Sequence, residues 1–383
     1  LLDSQPGALG ELSATLGPFV ARSNSTLQQT YVVGEKPITV GGGIAVPRHF
    51  MADYGEFQTA KPDAANYVTI SSSNPNVHFA ADAVPIAGMH GGFRGAAPVL
   101  FFRLSAGLLQ QSDIVTITYG ARSQGGGGLL MPTFSSDRMP FPLYVDFDGN
   151  GPLYSLPIQP IRVSGAAVDG VHGFAPSVVR PGESFTLAVR AQDAYYNRAS
   201  GSIPGWQVFY KDQVIATLSA GEEALQTVEG IQFQDEGVVR LSIRSADGAI
   251  TGKVNPILVS ADAQRIYWGD THGHSGFAEG IGTPERFMSW AKEDARLDFV
   301  THSEHDIWLD DSEWQHLKEN VEAYSEPGRF IAYLGYEWTT RNLYGGHHNV
   351  LFRATQGRHR ISTQFYPTLS ELYEGLRLSL IHI

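Results

Sequence analysis

The sequence predicts a multidomain chain, all-β through its front two thirds and α/β at its end, and three observations carry that prediction. Its 383 residues suffice for two or three domains, and an apolar fraction of 42% is ordinary for proteins that bury a core. Charged residues make up only 17% while Gly (42) and Pro (21) are plentiful, a balance that favours short strands joined by tight turns. After Gln264 the pattern changes from strand and turn to strands alternating with helical runs.

The first expected domain, residues 1–160, is a β-sandwich. Its β-rich runs are Tyr31 to Val33, Tyr67 to Ile70, Val99 to Phe102, Ile114 to Tyr119 and Leu143 to Phe147, separated by turn clusters. The loop Gly125 to Gly128 lacks the Lys-Ser/Thr ending of a phosphate-binding loop and reads as a hairpin connection. Asp146, Asp148 and Asn150 are similar to the start of a calcium loop, but Pro157 stands where the bidentate Glu would fall, so a turn is expected.

The second domain, residues 161–260, is expected to be an immunoglobulin-like β-sandwich with runs at Ser184 to Val189, Trp206 to Tyr210, Val238 to Ile243 and Pro256 to Val259. Its segment Val178 to Phe185 resembles the turn before a strand in many bacterial immunoglobulin-like modules.

The third domain, residues 264–383, opens with the apolar run Ile266-Tyr267-Trp268. Thr283 as N-cap and Pro284 at the first helical position begin a helix with Phe287, Trp290, Ala291 and Ala295 on one face. Leu297 to Thr301 reads as a buried strand. A second helix starts near Ser312, lines Trp314, Leu317, Val321 and Tyr324 along one side, and stops at Glu326-Pro327-Gly328. Arg329 to Leu334 and Asn349 to Phe352 supply further strands, and Thr368 with Glu371 forms a capping box before Leu369, Leu372 and Leu376. Repeated βα units imply a parallel sheet or barrel.

A net charge of −12 without any Lys/Arg cluster argues against a nucleic-acid partner. No stretch approaches the roughly 20 apolar residues that span a bilayer, so no membrane partner is expected. The first ten residues lack the basic and apolar regions of a signal peptide, and the compartment stays open with the cytoplasm favoured. Oligomeric state is not legible. With no cysteine, any metal must be held by His, Asp and Glu.

Such residues gather just after the expected strands: Asp270-Thr271-His272-Gly273-His274, then Glu304-His305-Asp306, then Glu337. Functional groups of α/β barrels collect at that rim. On an extended segment Asp270, His272 and His274 face one way, so they can converge on one point while Thr271 and Gly273 turn aside. Imidazole and carboxylate together suit zinc, manganese or iron.

Asp270-Thr271-His272-Gly273-His274-Ser275 resembles the D-x-H-x-H-[ST] opening of the PHP (polymerase and histidinol phosphatase) superfamily. Thr301 to Asp306 resembles its second motif, usually T-D-H, with Glu304 where Asp is usual; Leu334 to Thr339 is similar to its third, a glycine followed by a bridging glutamate. Gly346 to Phe352 resembles a strand that opens on a liganding histidine. The order of domains as a whole is similar to the bacterial domain-of-unknown-function 3604 family.

The resemblance implies the first part of a (β/α)7 barrel that holds two or three divalent metal ions and hydrolyses small-molecule phosphate esters. It implies His272, His274, Glu279, His305, Glu337 and His347 as metal ligands, with Asp270 and Glu304 in catalytic roles, Glu304 either orienting a ligand or acting as general acid/base. His347 is preferred to His348 on motif register. His302, His316 and His359 read as solvated or core-edge histidines, since each lacks an acidic partner at a matching position in the motif. Further ligands, a His and a terminal Asp-x-His pair, are expected beyond Ile383, which makes this chain a piece of a longer protein with an incomplete site.

Two other readings stand beside this one. A His-x-His pair at a strand end also resembles amidohydrolases, which cleave C–N or C–O bonds, although Lys292 and Lys318 both fall on helices rather than at a ligand position. Alternatively the β domains bind glycan or protein through Trp206, Tyr195 and Tyr196, and the metal only stabilises the last domain.

Overall fold

The computed structural model describes residues 6–48, 52–85, 98–157, 160–278, 280–340 and 346–381. The chain divides into two compact units, Leu1–Ser164 and Gly165–Ile383.

The first unit is strand-rich. Leu27–Val33 lies between Gly10–Ala14 and Ile114–Tyr119, with Val68–Ser72 outermost, all antiparallel. Leu27, Gln29, Tyr31 and Val33 are buried and the residues between them are not, the period of a strand with one face on a core. Gln29 is the polar member of that face and is satisfied: Nε2 donates to the Phe141 carbonyl at 2.7 Å and Oε1 accepts from the Tyr119 hydroxyl. A second antiparallel sheet orders Tyr154–Ser155, Tyr144–Asp146, Gly43–Val46, Pro98–Ala106 and His78–Pro85. Between strands, the Asp146 carboxylate accepts from the backbone N–H groups of Asp148 and Gly149, and Asp148 accepts from that of Asn150, so this segment is a turn.

In the second unit a seven-stranded sheet runs Gln213–Leu218, Trp206–Tyr210, Leu241–Ser245, Thr251–Val254, Gly170–Phe174, Phe185–Gln192 and Leu225–Ile231. Its core gathers Leu187, Val208 and Ile243 around Trp206. Trp206 is only 1% exposed, which removes it as a surface anchor; Tyr195 and Tyr196 are exposed.

The end of the chain builds a four-stranded sheet in the order Gly269–Asp270, Phe299–His305, Ile331–Thr339, His347–Phe352. Tyr336 and Trp338 face the helix Asp311–Tyr324, whose Trp314, Leu317 and Val321 are buried against them. That helix starts at Asp310 with a reciprocal Asp310–Glu313 capping box. Thr368 and Glu371 cap the helix Leu369–Ile381 in the same way.

Three expectations are corrected here. The first three strands are parallel but the last is antiparallel to its neighbour, so the described residues form an open mixed sheet and not a parallel barrel. A parallel crossover needs about a dozen residues or more, and only residues 340–346 separate these two strands. Ile266, Tyr267 and Trp268 are exposed and lie outside the strand, which is limited to Gly269–Asp270. The Asp298 carboxylate captures the Trp268 N–H at 2.7 Å in place of a ladder partner. Trp290 is 47% exposed: the core-facing stripe is Pro284, Met288 and Ala291, spaced four and three residues apart, and two positions on from Met288 Trp290 falls on the other side of the helix, which continues as a π-helical turn over Trp290–Asp294.

Asp294, at the end of that turn, is buried. Its carboxylate pairs with Arg198 of the seven-stranded module and, at 3.1 Å, with Arg286, while its carbonyl accepts from Arg190.

Candidate metal centre

The strand Phe299–His305 is buried on both faces, and side-chain alternation sends Ser303 and His305 one way and His302 and Glu304 the other. Residues 272–275 fold over its C-terminal end: the Ser303 N–H donates to the Gly273 carbonyl at 3.0 Å, and the Gly273 N–H to Ser303 Oγ at 3.3 Å. A Cβ at Gly273 would lie 2.6 Å from the Phe287 ring, so a side chain between the two histidines would have to displace that ring.

This wrap brings His272 and His274 together, Nε2 to Nε2 at 3.2 Å. Glu337 Oε2 lies 3.3 Å from His272 Nε2 and 3.1 Å from His274 Nε2. Donors bound about 2.0–2.1 Å from one tetrahedral ion stand roughly 3.3 Å apart, so the three atoms form a triangle of the size a single cation requires. The other ring nitrogens point away from this triangle: His272 Nδ1 pairs with Ser303 Oγ at 2.8 Å, and His274 Nδ1 faces Glu304 Oε2 at 3.4 Å, an ion-pair distance without hydrogen-bond geometry. Buried Glu337 Oε2 has no hydrogen-bond partner among the described residues, as expected of an oxygen that awaits a cation.

A second group shares the same carboxylate. His305, Glu337 and His347 offer ligand atoms all within 4.8 Å of one another. His305 Nδ1 lies 2.7 Å from Thr339 Oγ1 and 3.3 Å from Glu337 Oε2, and His347 Nδ1 bonds Glu337 Oε1. The antiparallel ladder explains how a histidine at the start of a strand reaches this rim: Thr339 pairs with His347, so the beginning of one strand lies beside the end of the other. His348, one residue on, faces the opposite side and packs on Trp338 with ring centroids 5.7 Å apart.

Glu304 is fully buried, and burial alone would raise its pKa. Hydrogen bonds from His274, His302 and Ser275 outweigh burial and hold it at about 2. Asp270 stands apart from both groups: it is exposed, and its carboxylate accepts from the His272 backbone N–H at 3.1 Å. Glu279 lies outside the described residues. His302 is not the core-edge histidine expected; it is fully buried with an acidic partner, Glu304, at 2.7 Å. His316 also has one, Glu285 at 2.7 Å.

Ser275, Ser303 and Thr339 support the centre and escape sequence reasoning, because a hydroxyl becomes visible as a ligand's partner only once strand register is known. Asp306 is a brace: it accepts from the Thr339 N–H at 2.7 Å and from the N–H and hydroxyl of Thr363 at 2.7 and 2.6 Å.

Residues 283–378 match a family model described as "Protein of unknown function (DUF3604)". An uncharacterized protein of Chlamydia trachomatis is 25% identical over 263 residues, covering 66% of this chain and 42% of the relative. Another, of Chlamydia pneumoniae, is 23% identical over 282 residues, covering 70% and 45%. The chain thus spans less than half the length of these relatives. The matches support a DUF3604-like assignment and name no activity. Among solved structures, InvD of Yersinia pseudotuberculosis gives a TM-score of 0.29 at 14% identity, covering 67% of this chain and 60% of that one. The D00-D0 domain of Intimin gives 0.25 at 12%, covering 65% and 99%. Likeness at that level says nothing about the histidine cluster. No helix among the described residues is long and apolar enough to cross a membrane.

Proposed function

We propose that the end of the chain is the metal-binding part of a PHP-type hydrolase, which uses two divalent cations to cleave a small-molecule phosphate ester. One observation carries the reading: Glu337 belongs to both three-residue groups, so a single carboxylate can join two cations side by side. The donor set of imidazole and carboxylate fits zinc, manganese or iron. When bound, such ions supply a water acidified to near neutrality and a positive clamp on phosphate oxygens.

The chain's own residues supply the aim. Ser303 bonds His272 Nδ1 and Glu304 faces His274 Nδ1, with both Nε2 atoms turned to Glu337. Glu304, ionised and buried, has no proton to give near neutral pH, which favours the orienting role over general acid catalysis. His347, with its side chain 54% exposed, marks the open flank from which a substrate would enter.

The test is hydrolysis by the purified full-length protein of generic phosphate ester, carboxylic ester and amide substrates in parallel, with added manganese or zinc. Phosphate ester turnover that His272→Ala abolishes is expected. Turnover of the amide alone would move the centre to the amidohydrolase class, and equal activity in His272→Ala would refute the assignment.

A further inference from the structure

We infer that His302 is a positioning residue for the metal centre: it clamps Glu304 so that the carboxylate fixes the tautomer and direction of His274. The inference rests on the metal-binding reading above and adds to it a residue to which the family resemblance gives no role.

The two histidines of the first group are supported unequally. His272 Nδ1 meets a neutral hydroxyl, Ser303 Oγ, whereas His274 Nδ1 faces a buried carboxylate. A carboxylate behind an imidazole keeps the proton on the nitrogen that faces it and strengthens the opposite nitrogen as a metal donor. That effect requires the carboxylate to stay aimed.

The aim comes from the opposite oxygen. Glu304 Oε1 accepts from the Ser275 N–H at 2.6 Å, from the Ser275 hydroxyl, and from His302 Nε2 at 2.7 Å. With Oε1 held by three donors, Oε2 is the oxygen turned to His274. A carboxylate accepts only, so His302 must carry its proton on Nε2.

His302 in turn cannot swing. Its ring stacks on Phe287 with centroids 4.7 Å apart and planes at 27°, and it has no solvent exposure. Phe287 also fills the space over Gly273, so one aromatic ring bears on both the clamp and the ligand loop. His302 Nδ1 has no hydrogen-bond partner among the described residues. A histidine kept for packing alone would leave two polar atoms to satisfy in an apolar setting where phenylalanine needs none; the bond to Glu304 is what distinguishes it.

The experiment is titration of the metal-free full chain with Co²⁺, followed by calorimetry and by the visible cobalt spectrum, for wild type, His302→Leu, His302→Gln and His272→Ala. His302→Leu is expected to weaken one of two binding events about 10–100-fold and to alter its spectrum while the other event is kept. His302→Gln, which returns an N–H donor near the Nε2 position, is expected to recover most of that loss. If His302→Leu fails to fold by circular dichroism, Glu304→Gln is read instead, with the same single-event weakening expected.

Wild-type affinity and spectrum in a folded His302→Leu, or in Glu304→Gln, would overturn the positioning role. His272→Ala would then still lose one cation if the metal reading holds. Two unchanged events in His272→Ala would sink the metal reading and this inference with it.

Discussion

His305 and Glu337 occupy partnered positions on neighbouring parallel strands, with His305 Nδ1 3.3 Å from Glu337 Oε2. The same carboxylate lies 3.1 Å from His274 Nε2, so residues from three chain segments meet on one side chain.

Glu337→Ala should therefore cost both cations, not one. Cation affinity measured by calorimetry is expected to fall by more than about 100-fold at each position, beyond the 10–100-fold typical of residues that only support a ligand. Retention of one cation at wild-type affinity would show that the two groups do not share this residue.

Sheet register separates two adjacent histidines. His347→Ala should weaken one binding event, whereas His348→Ala, on the Trp338 face, should leave both intact. Metal content after dialysis reads the difference, and equal losses would contradict the register.

Asp306→Ala removes three hydrogen bonds from a buried carboxylate and leaves the Thr339 and Thr363 donors stranded. A loss of about 2–4 kcal/mol of stability is expected in denaturant unfolding of metal-free protein. A change under about 0.5 kcal/mol, the range of an ordinary surface substitution, would mean that the brace carries little.

Arg198→Ala breaks one of the pairs around Asp294. Losing a partner of a fully buried pair costs about 3–5 kcal/mol, but Arg198 is 41% exposed and Arg286 remains, so about 1–2 kcal/mol is expected. Asp294→Leu with Arg198→Ala, compared with each single change, measures the coupling.

Much of this architecture was legible because strand and helix periods are local. The capping signals at Asp310–Glu313 and Thr368–Glu371 involve residues three apart, and Trp314, Leu317 and Val321 recur at helical spacing. The His-x-His spacing likewise placed His272 and His274 on one side. Long-range facts were not legible. The reversal of the last strand shows only in its antiparallel pairing with the strand before it, and that pairing is what sets His347 beside Thr339. His302 was set aside for want of an acidic neighbour in the motif, yet its partner is two residues away, on the same face of a strand. Trp290 and Met288 are both apolar and two residues apart, so hydrophobicity alone does not tell which of them faces the core.

Asp294 answers through its carboxylate and its carbonyl to two arginines of the adjoining β module, Arg198 and Arg190. Anyone who grafts the histidine-bearing segment onto a different carrier would leave that buried anion with Arg286 as its one remaining arginine partner among the described residues. In domain shuffling, whether by evolution or by design, these two pieces are expected to travel as a pair.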